Sequence, residues 1–356
     1  MSPDSAAFQS PYRFFVLTCR DPRHDFRVPL VEALQQRGDA YSIWLRRHPL
    51  VSGPDQADPA REMTVTGLLR FMRTLPRDYR INIYLNSTNT YFPGLSLALQ
   101  RIAPPGIWVF DMHDDLRYHN HGLKRLREQA IVSTLCRVSD AVVHAAPTLQ
   151  SLFPRSQHLG NASHLMPLDL SSAGWNDVLV IASFDERFDF DFLSNLASLS
   201  GDLRFHLHGW TRSTDDITAS RVRQLVDRHD NVLYHGPYST DDLPGILRRY
   251  RLTVAPYVAD AELTRYIDPL RFYHCLNAGL EVVSTAIPQA RYMERFVHVV
   301  ADPAACRQAL MALQSGRNHK QPGYSPITWD QRADRLIEIV SALPRTQRLR
   351  HQRMIG

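Results

Sequence analysis

Residues 251–287 read RLTVAPYVADAELTRYIDPLRFYHCLNAGLEVVSTAI, and this stretch decides the fold. Leu252 to Pro256 is an apolar run of strand length, and Val282 to Thr285 is a second, β-branched one. Between them the pattern predicts a helix with Asp268 as N-cap and Pro269 at the first helical position. Gly279 marks its stop, because glycine accepts the left-handed backbone that ends helices. Arg271 falls in the first turn, where free N–H groups and the positive end of the dipole already favour an anion. A cation there does little for the helix and adds to an anion site. The unit is a strand, a loop, a helix and a strand suited to phosphate.

The same alternation runs outward in both directions. Upstream, Val178–Ala182, Arg204–His208 and Asn231–Tyr234 are strand candidates separated by helical stretches, and Val297–Val300 follows downstream. In the first half, Phe14–Thr18, Ala40–Leu45, Ile81–Leu85, Ile107–Phe110 and Asp140–His144 read as strands. Helical patterns at Val28–Gln36, Thr66–Leu75, Gly94–Ile102 and Leu123–Val138 lie between them. Strands alternating with helices predict mainly parallel sheets, an α/β class with ligand sites at the loop ends of the strands. The polar segment Asn161–Asn176 reads as a linker between two domains.

Composition agrees with two globular domains. The chain has 356 residues, 44% of them hydrophobic, which suits two cores. No apolar run is long enough to span a bilayer and the N-terminus lacks a signal-peptide pattern, so a cytoplasmic location is expected. Cys19, Cys136, Cys275 and Cys306 are scattered, against a disulfide framework or a zinc site. The net charge of +5 suits anionic ligands or an anionic membrane leaflet. No RNA-recognition or zinc-finger spacing supports a nucleic-acid partner. The basic tail (Arg345, Arg348, Arg350, Arg353) reads as a solubilising extension.

Four segments resemble, in order, the donor half of GT-B glycosyltransferases of the family 4, or group 1, type, which make bacterial polysaccharides. Ser183-Phe184-Asp185-Glu186-Arg187-Phe188-Asp189 resembles the "G-x-x-x-x-R-x-D" turn, and Asn231 to Tyr238 the "nV-x-x-x-G-x-y" strand and loop. Pro256-Tyr257, then Asp268 to Val283, resemble the "Py…sPxKxxEYxAxGxPVV" segment, and Trp329-Asp330-Gln331-Arg332 the closing "W-x-x-R" helix. The resemblance implies two Rossmann-like doubly wound domains facing a cleft. An acceptor-binding domain would occupy residues 1–165 and a donor-binding domain 166–328, with a crossover helix at 329–344 and the tail at 345–356. It implies a nucleotide diphosphate sugar as donor, UDP-sugar favoured, no cofactor and no metal. The acceptor would be a glycan or polyprenyl-linked sugar, reached at the inner face of a membrane through peripheral contact.

Site residues follow. Arg271 would meet the diphosphate with the N–H groups of the Pro269–Arg271 turn, and Arg187 would stabilise it as it leaves. Gly209 and Gly236 follow strands, where backbone can approach a ligand closely. Tyr238 and Tyr257 follow strand ends, placed to flank the base or sugar, whereas Trp108, Trp210 and Trp329 read as packing. His274 stands where relatives have a ribose-binding acid, and Arg271 where they have lysine.

In the first half, Asp111-Met112-His113-Asp114-Asp115 ends a strand and resembles the family's "D-x-x-D-[DE]". Asp114 and Asp115 are the first general-base candidates, with Asp25 and His24 behind them. His24-Asp25-Phe26-Arg27 resembles the matching loop of the glucuronosyltransferase of xanthan assembly. Capping of the next helix is the plainer role for the Asp pair. A divalent ion held by Asp111, His113, Asp115, His119 and His121 is a rival that strand geometry disfavours. The leading function is sugar transfer from a nucleotide sugar. The alternatives are a degenerate GT-B partner subunit or glycan-binding module, favoured by His274 and a first loop without glycine, and a nucleotide-sugar epimerase. Retention or inversion of the anomeric centre does not follow from the residues.

Overall fold

Two parallel sheets form in a computed structural model that describes residues 11–18, 27–45, 60–63, 65–75, 81–86, 99–113, 122–211, 216–259 and 261–344. The chain divides into two units, Met1–Gly160 with Trp329–Gly356, and Asn161–Thr328.

The first unit runs β1 (Tyr12–Thr18), α1 (Val28–Gln35), β2 (Asp39–Leu45), β3 (Ala60–Met63), α2 (Val65–Thr74), β4 (Ile81–Asn86) and β5 (Gly106–Met112). It continues through α3 (Leu123–Val138), β6 (Ala141–His144), α4 (Leu149–Leu152) and β7 (Gln157–His158). The order across the sheet is β3-β2-β1-β4-β5-β6-β7, with all pairs parallel. All of β1 and β5 is buried, as strands covered on both faces require. Phe15, Tyr84 and Trp108 stack in series, with ring centroids 5.2 and 4.4 Å apart.

The second unit runs β8 (Gly174–Phe184), α5 (Phe190–Leu199), β9 (Arg204–Thr211), α6 (Asp216–Arg228), β10 (Val232–Tyr234), α7 (Leu243–Leu247) and β11 (Tyr250–Ala255). Then come α8 (Glu262–Arg265), α9 (Leu270–Ala278), β12 (Glu281–Thr285), α10 (Pro288–Tyr292), β13 (Val297–Val300) and α11 (Pro303–Gln314). Its order, β10-β9-β8-β11-β12-β13, is again all parallel. Side-chain alternation along β8 builds two cores at once. Val178, Val180, Ala182 and Phe184 join one hydrophobic cluster, Leu179 and Ile181 the other. A sheet apolar on both faces needs helices on both, which is the doubly wound arrangement.

The polar segment after Gly160 is pinned to α9, where the sequence suggested a simple linker. Asn161 Nδ2 donates to the Asp268 carbonyl at 2.7 Å, Asn277 Nδ2 to the Leu165 carbonyl at 3.0 Å, and Leu168 N–H to the Ala278 carbonyl at 3.1 Å. Asn277 is fully buried, and its Oδ1 also accepts from Tyr324 Oη and Ile327 N–H. Bonds centred on single side-chain amides leave no periodicity for sequence reading to detect.

The last helix, α12 (Trp329–Ser341), belongs to the first unit. Tyr12 Oη lies 2.8 Å from Ser341 Oγ, and Arg37 bonds Asp330 at 2.8 Å and Asp334 at 2.6 Å. The chain therefore returns to the unit it started from.

Candidate functional site

In the second sheet the strand order reverses between β8 and β11, the switch point where doubly wound sheets bind ligands beyond the carboxyl ends of their strands. The two loops leaving these strands are tied to each other. Val258 N–H donates to the Arg187 carbonyl at 2.9 Å, and Asp189 N–H to the Pro256 carbonyl at 3.0 Å. A bridge pairs Phe188 with Tyr257. Tyr257 N–H also donates to Thr285 Oγ1 at 2.9 Å, which brings in the end of β12. Three strand ends share one frame.

Two arginines enter this frame from different elements. Arg187 Nη2 donates to Asp185 Oδ2 at 2.6 Å, and its Nε reaches both carboxylate oxygens at 3.1 and 3.2 Å. Asp185 is buried and aims this fork. Burial opposes its charge, yet the Arg187 hydrogen bond and the Arg187 and Arg271 charges hold its carboxyl below the usual range. Arg271 is the second residue of α9, its guanidinium 4.7 Å from the centroid of the Tyr257 ring. Its Nη1 is buried and has no hydrogen-bond partner among the described residues. Leaving a buried charged donor unpaired costs at least about 1–3 kcal/mol, so the position calls for oxygen acceptors from a ligand. The first-turn N–H groups of α9 add further donors.

The start of α9 differs from the sequence expectation. Pro269 is the N-cap, with φ −67° and ψ 116°, and the helix begins at Leu270. Asp268 makes no cap. Its carboxylate accepts from Asn161 N–H at 2.6 Å, Tyr273 Oη at 2.8 Å and Gln289 Nε2 at 2.7 Å. Donors from three separate segments outcompete the helix's own N–H groups for this buried carboxylate. The network fixes where α9 begins, and so where Arg271 stands.

His274 lies one turn beyond Arg271, with Nδ1 2.8 Å from Ser163 Oγ. Burial, with the nearby His164 adding to it, pushes its pKa down to about 3, so the ring is neutral at pH 7.

Tyr257 is a correction to the sequence reading. It is buried, its ring supports Arg271, and Phe272 packs edge-on against it, so it does not flank a base or sugar. Gly209 is another. A Cβ there would lie 1.7 Å from the Ala182 carbonyl oxygen, so the close approach it permits is to β8. Its N–H donates to the Gly236 carbonyl at 2.9 Å, and Gly236 turns with φ 83° into open space.

Tyr238 follows, its hydroxyl pKa raised by burial, and its ring centroid is 4.7 Å from that of Trp210. Trp210 is 47% exposed, whereas Trp108 and Trp329 are 4% exposed and pack as expected. An exposed tryptophan beside Tyr238 offers a flat apolar surface near the ends of β9 and β10. Sequence reading missed the roles of Trp210, Asp185 and Ser163. The position of Trp210 directly after Gly209, beyond a strand candidate, was the signal available for it.

Asp114, Asp115, Asp25 and His24, the general-base candidates, lie outside the described residues, as do His119 and His121. Asp111 is engaged elsewhere. Arg27 Nε and Nη2 donate to its two oxygens at 2.9 Å each, both side chains are fully buried, and His113 Nε2 lies 3.2 Å away. It anchors the end of β5 to the start of α1 and is not available as a metal ligand.

No protein-family model and no curated protein matches the sequence. Solved structures do. HepE of Anabaena, in complex with UDP and glucose, gives a TM-score of 0.66 at 13% identity, covering 93% of this chain and 100% of that one. Sucrose-phosphate synthase of Thermosynechococcus elongatus gives 0.61 at 15% identity, over 97% and 98%. An α-glucosyltransferase in complex with UDP gives 0.58 at 10% identity, over 93% and 96%. At these identities the likeness is one of fold, and it is the GT-B fold that the sequence resemblance implied.

Proposed function

We propose that this protein is a glycosyltransferase that moves a sugar, a hexosyl group in the simplest form, from a nucleoside diphosphate sugar to a glycan or lipid-linked acceptor. The observation that carries the reading is Arg271. A buried guanidinium N–H without an acceptor stands at a helix N-terminus, at the switch point of a doubly wound sheet. A diphosphate supplies the oxygens this place needs. HepE was solved with UDP and glucose and the α-glucosyltransferase with UDP, which makes UDP-sugars the first donors to test. In this reading Arg271 and Arg187 stabilise the diphosphate as it leaves, and Trp210 with Tyr238 gives the base a surface. The base that activates the acceptor hydroxyl falls to Asp114, Asp115, Asp25 or His24.

An acceptor carried on lipid would place the protein at the inner face of a membrane. Among the described residues no helix is long and apolar enough to cross one. Peripheral contact is supported by α3, where Leu123 and Leu126 are 85% and 62% exposed beside Lys124 and Arg127. Co-sedimentation with anionic liposomes, lost when Leu123 and Leu126 become serine, is the expected result.

Calorimetric titration with UDP, GDP, ADP and their sugars tests the donor reading, followed by product analysis with and without added acceptor. Saturable binding of one nucleotide family supports it. A folded protein that binds none would turn the reading to a degenerate partner module, which His274 in place of an acid favours.

A further inference from the structure

Ser163 is fully buried, and its hydroxyl lies against the imidazole of His274. Ser163 Oγ accepts the N–H of Leu165 at 3.1 Å and lies 2.8 Å from His274 Nδ1. Among the described residues, no other acceptor stands within reach of the serine hydroxyl proton. If Nδ1 carried a hydrogen, the serine O–H would be buried without a partner, at a cost of one unmade hydrogen bond. The hydroxyl therefore donates to a bare Nδ1, and the ring's own hydrogen sits on Nε2. That Nε2 makes no hydrogen bond to the described residues, where Nδ1 makes one. One helical turn away stands the unpaired Nη1 of Arg271. Both groups are donors, so a ligand that reaches both brings an acceptor to each.

We propose that His274 is a serine-locked, neutral hydrogen-bond donor that binds an oxygen of the nucleotide through Nε2–H. Its polarity is then opposite to that of an acidic residue at the same place, which can only accept. Specificity at this position rests on an acceptor oxygen in the ligand, in the ribose or in the diphosphate. This proposal rests on the nucleotide-sugar reading of the site, but the tautomer it requires does not.

The test has two arms. In the first, 15N-histidine NMR of the free wild-type protein reads the tautomer, with His274→Gln used to assign the resonance. The expected pattern is protonated Nε2 and bare Nδ1 throughout pH 6–8, shifting toward a tautomer mixture in Ser163→Ala. A protonated Nδ1 in the wild type overturns the proposal whatever the protein binds. In the second, UDP, 2′-deoxy-UDP and uridine are titrated against wild type, His274→Gln and His274→Glu. Glutamine keeps a donor and should hold UDP affinity within about threefold, whereas glutamate should lose about tenfold or more. Loss of the His274→Gln/His274→Glu contrast with 2′-deoxy-UDP places the acceptor in the ribose, and its loss with uridine alone in the diphosphate. Equal or tighter UDP binding by folded His274→Glu overturns the donor role while leaving the nucleotide reading intact. Failure of the wild type to bind any of the three overturns the nucleotide reading, and with it the ligand half of this proposal.

Discussion

Arg271 stands in the first turn of α9 and Tyr257 just beyond the end of β11, and the guanidinium of the first rests 4.7 Å from the ring centroid of the second. The ring is buried and its backbone is fastened by Thr285 on one side and Phe188 on the other. A long flexible side chain is thereby held in place before any ligand arrives, which lowers the ordering cost of binding. Replacing Tyr257 by leucine keeps an apolar filling but removes the π face. Nucleotide affinity is expected to fall by about 1–2 kcal/mol, measured by calorimetry at fixed salt.

Asp185 is a positioning residue for Arg187. Asp185→Asn leaves one oxygen and no charge, so the Arg187 fork loosens. Turnover is expected to fall about tenfold with little change in donor KM if Arg187 acts on the departing diphosphate. A change in KM alone would assign Arg187 to ground-state binding.

The same carboxyl couples folding to pH. Its folded pKa lies below the unfolded value of about 3.9. Its stabilising contribution is therefore complete above that value and disappears as pH falls through the lower folded pKa. Asp185→Asn should narrow the stability gap between pH 6 and pH 3 in urea denaturation. An unchanged gap would assign the acid sensitivity to other groups.

Glu281 holds a larger share of the fold. It is buried and accepts from His298 Nε2 at 3.1 Å, His319 Nδ1 at 3.0 Å and the N–H groups of Lys320 and Gln321. Burial alone would raise its pKa, and these donors together lower it. Glu281→Ala leaves these donors without an acceptor and should cost about 3–5 kcal/mol in denaturant titration. The loss should shrink as pH falls through the folded pKa, because the wild-type carboxylate is then protonated too.

Two glycines with positive φ separate packing from backbone strain. Gly209→Ala places a Cβ 1.7 Å from the Ala182 carbonyl, whereas Gly236→Ala meets nothing within 4 Å. The first should cost well over about 2 kcal/mol and the second about 1–2 kcal/mol, compared by their urea midpoints.

The fold was legible where the chain repeats its signals. β13 begins and ends where the sequence placed it, β12 starts one residue before the expected Val282, and α3 spans the full Leu123–Val138 pattern. β3 and β7 went unseen, because Ala-Arg-Glu-Met and Gln-His at sheet edges carry no apolar run. Helix boundaries failed where tertiary bonds intervene, as at Asp268, whose carboxylate serves Asn161, Tyr273 and Gln289 rather than α9. The place of Arg271 in the first turn of α9 was legible from the proline and the glycine that flank this helix. Ser163 and Trp210 were not, because their partners lie far along the chain at His274 and Tyr238.

The most direct test of the central claim is calorimetric titration of UDP, GDP and ADP into wild type, Arg271→Lys and Arg271→Ala. Wild type is expected to bind one of them saturably. Arg271→Ala should lose about 1.5–3 kcal/mol of binding while melting within a few degrees of wild type, with Arg271→Lys between the two. Equal affinity in wild type and a folded Arg271→Ala would contradict the assignment of the diphosphate to the start of α9.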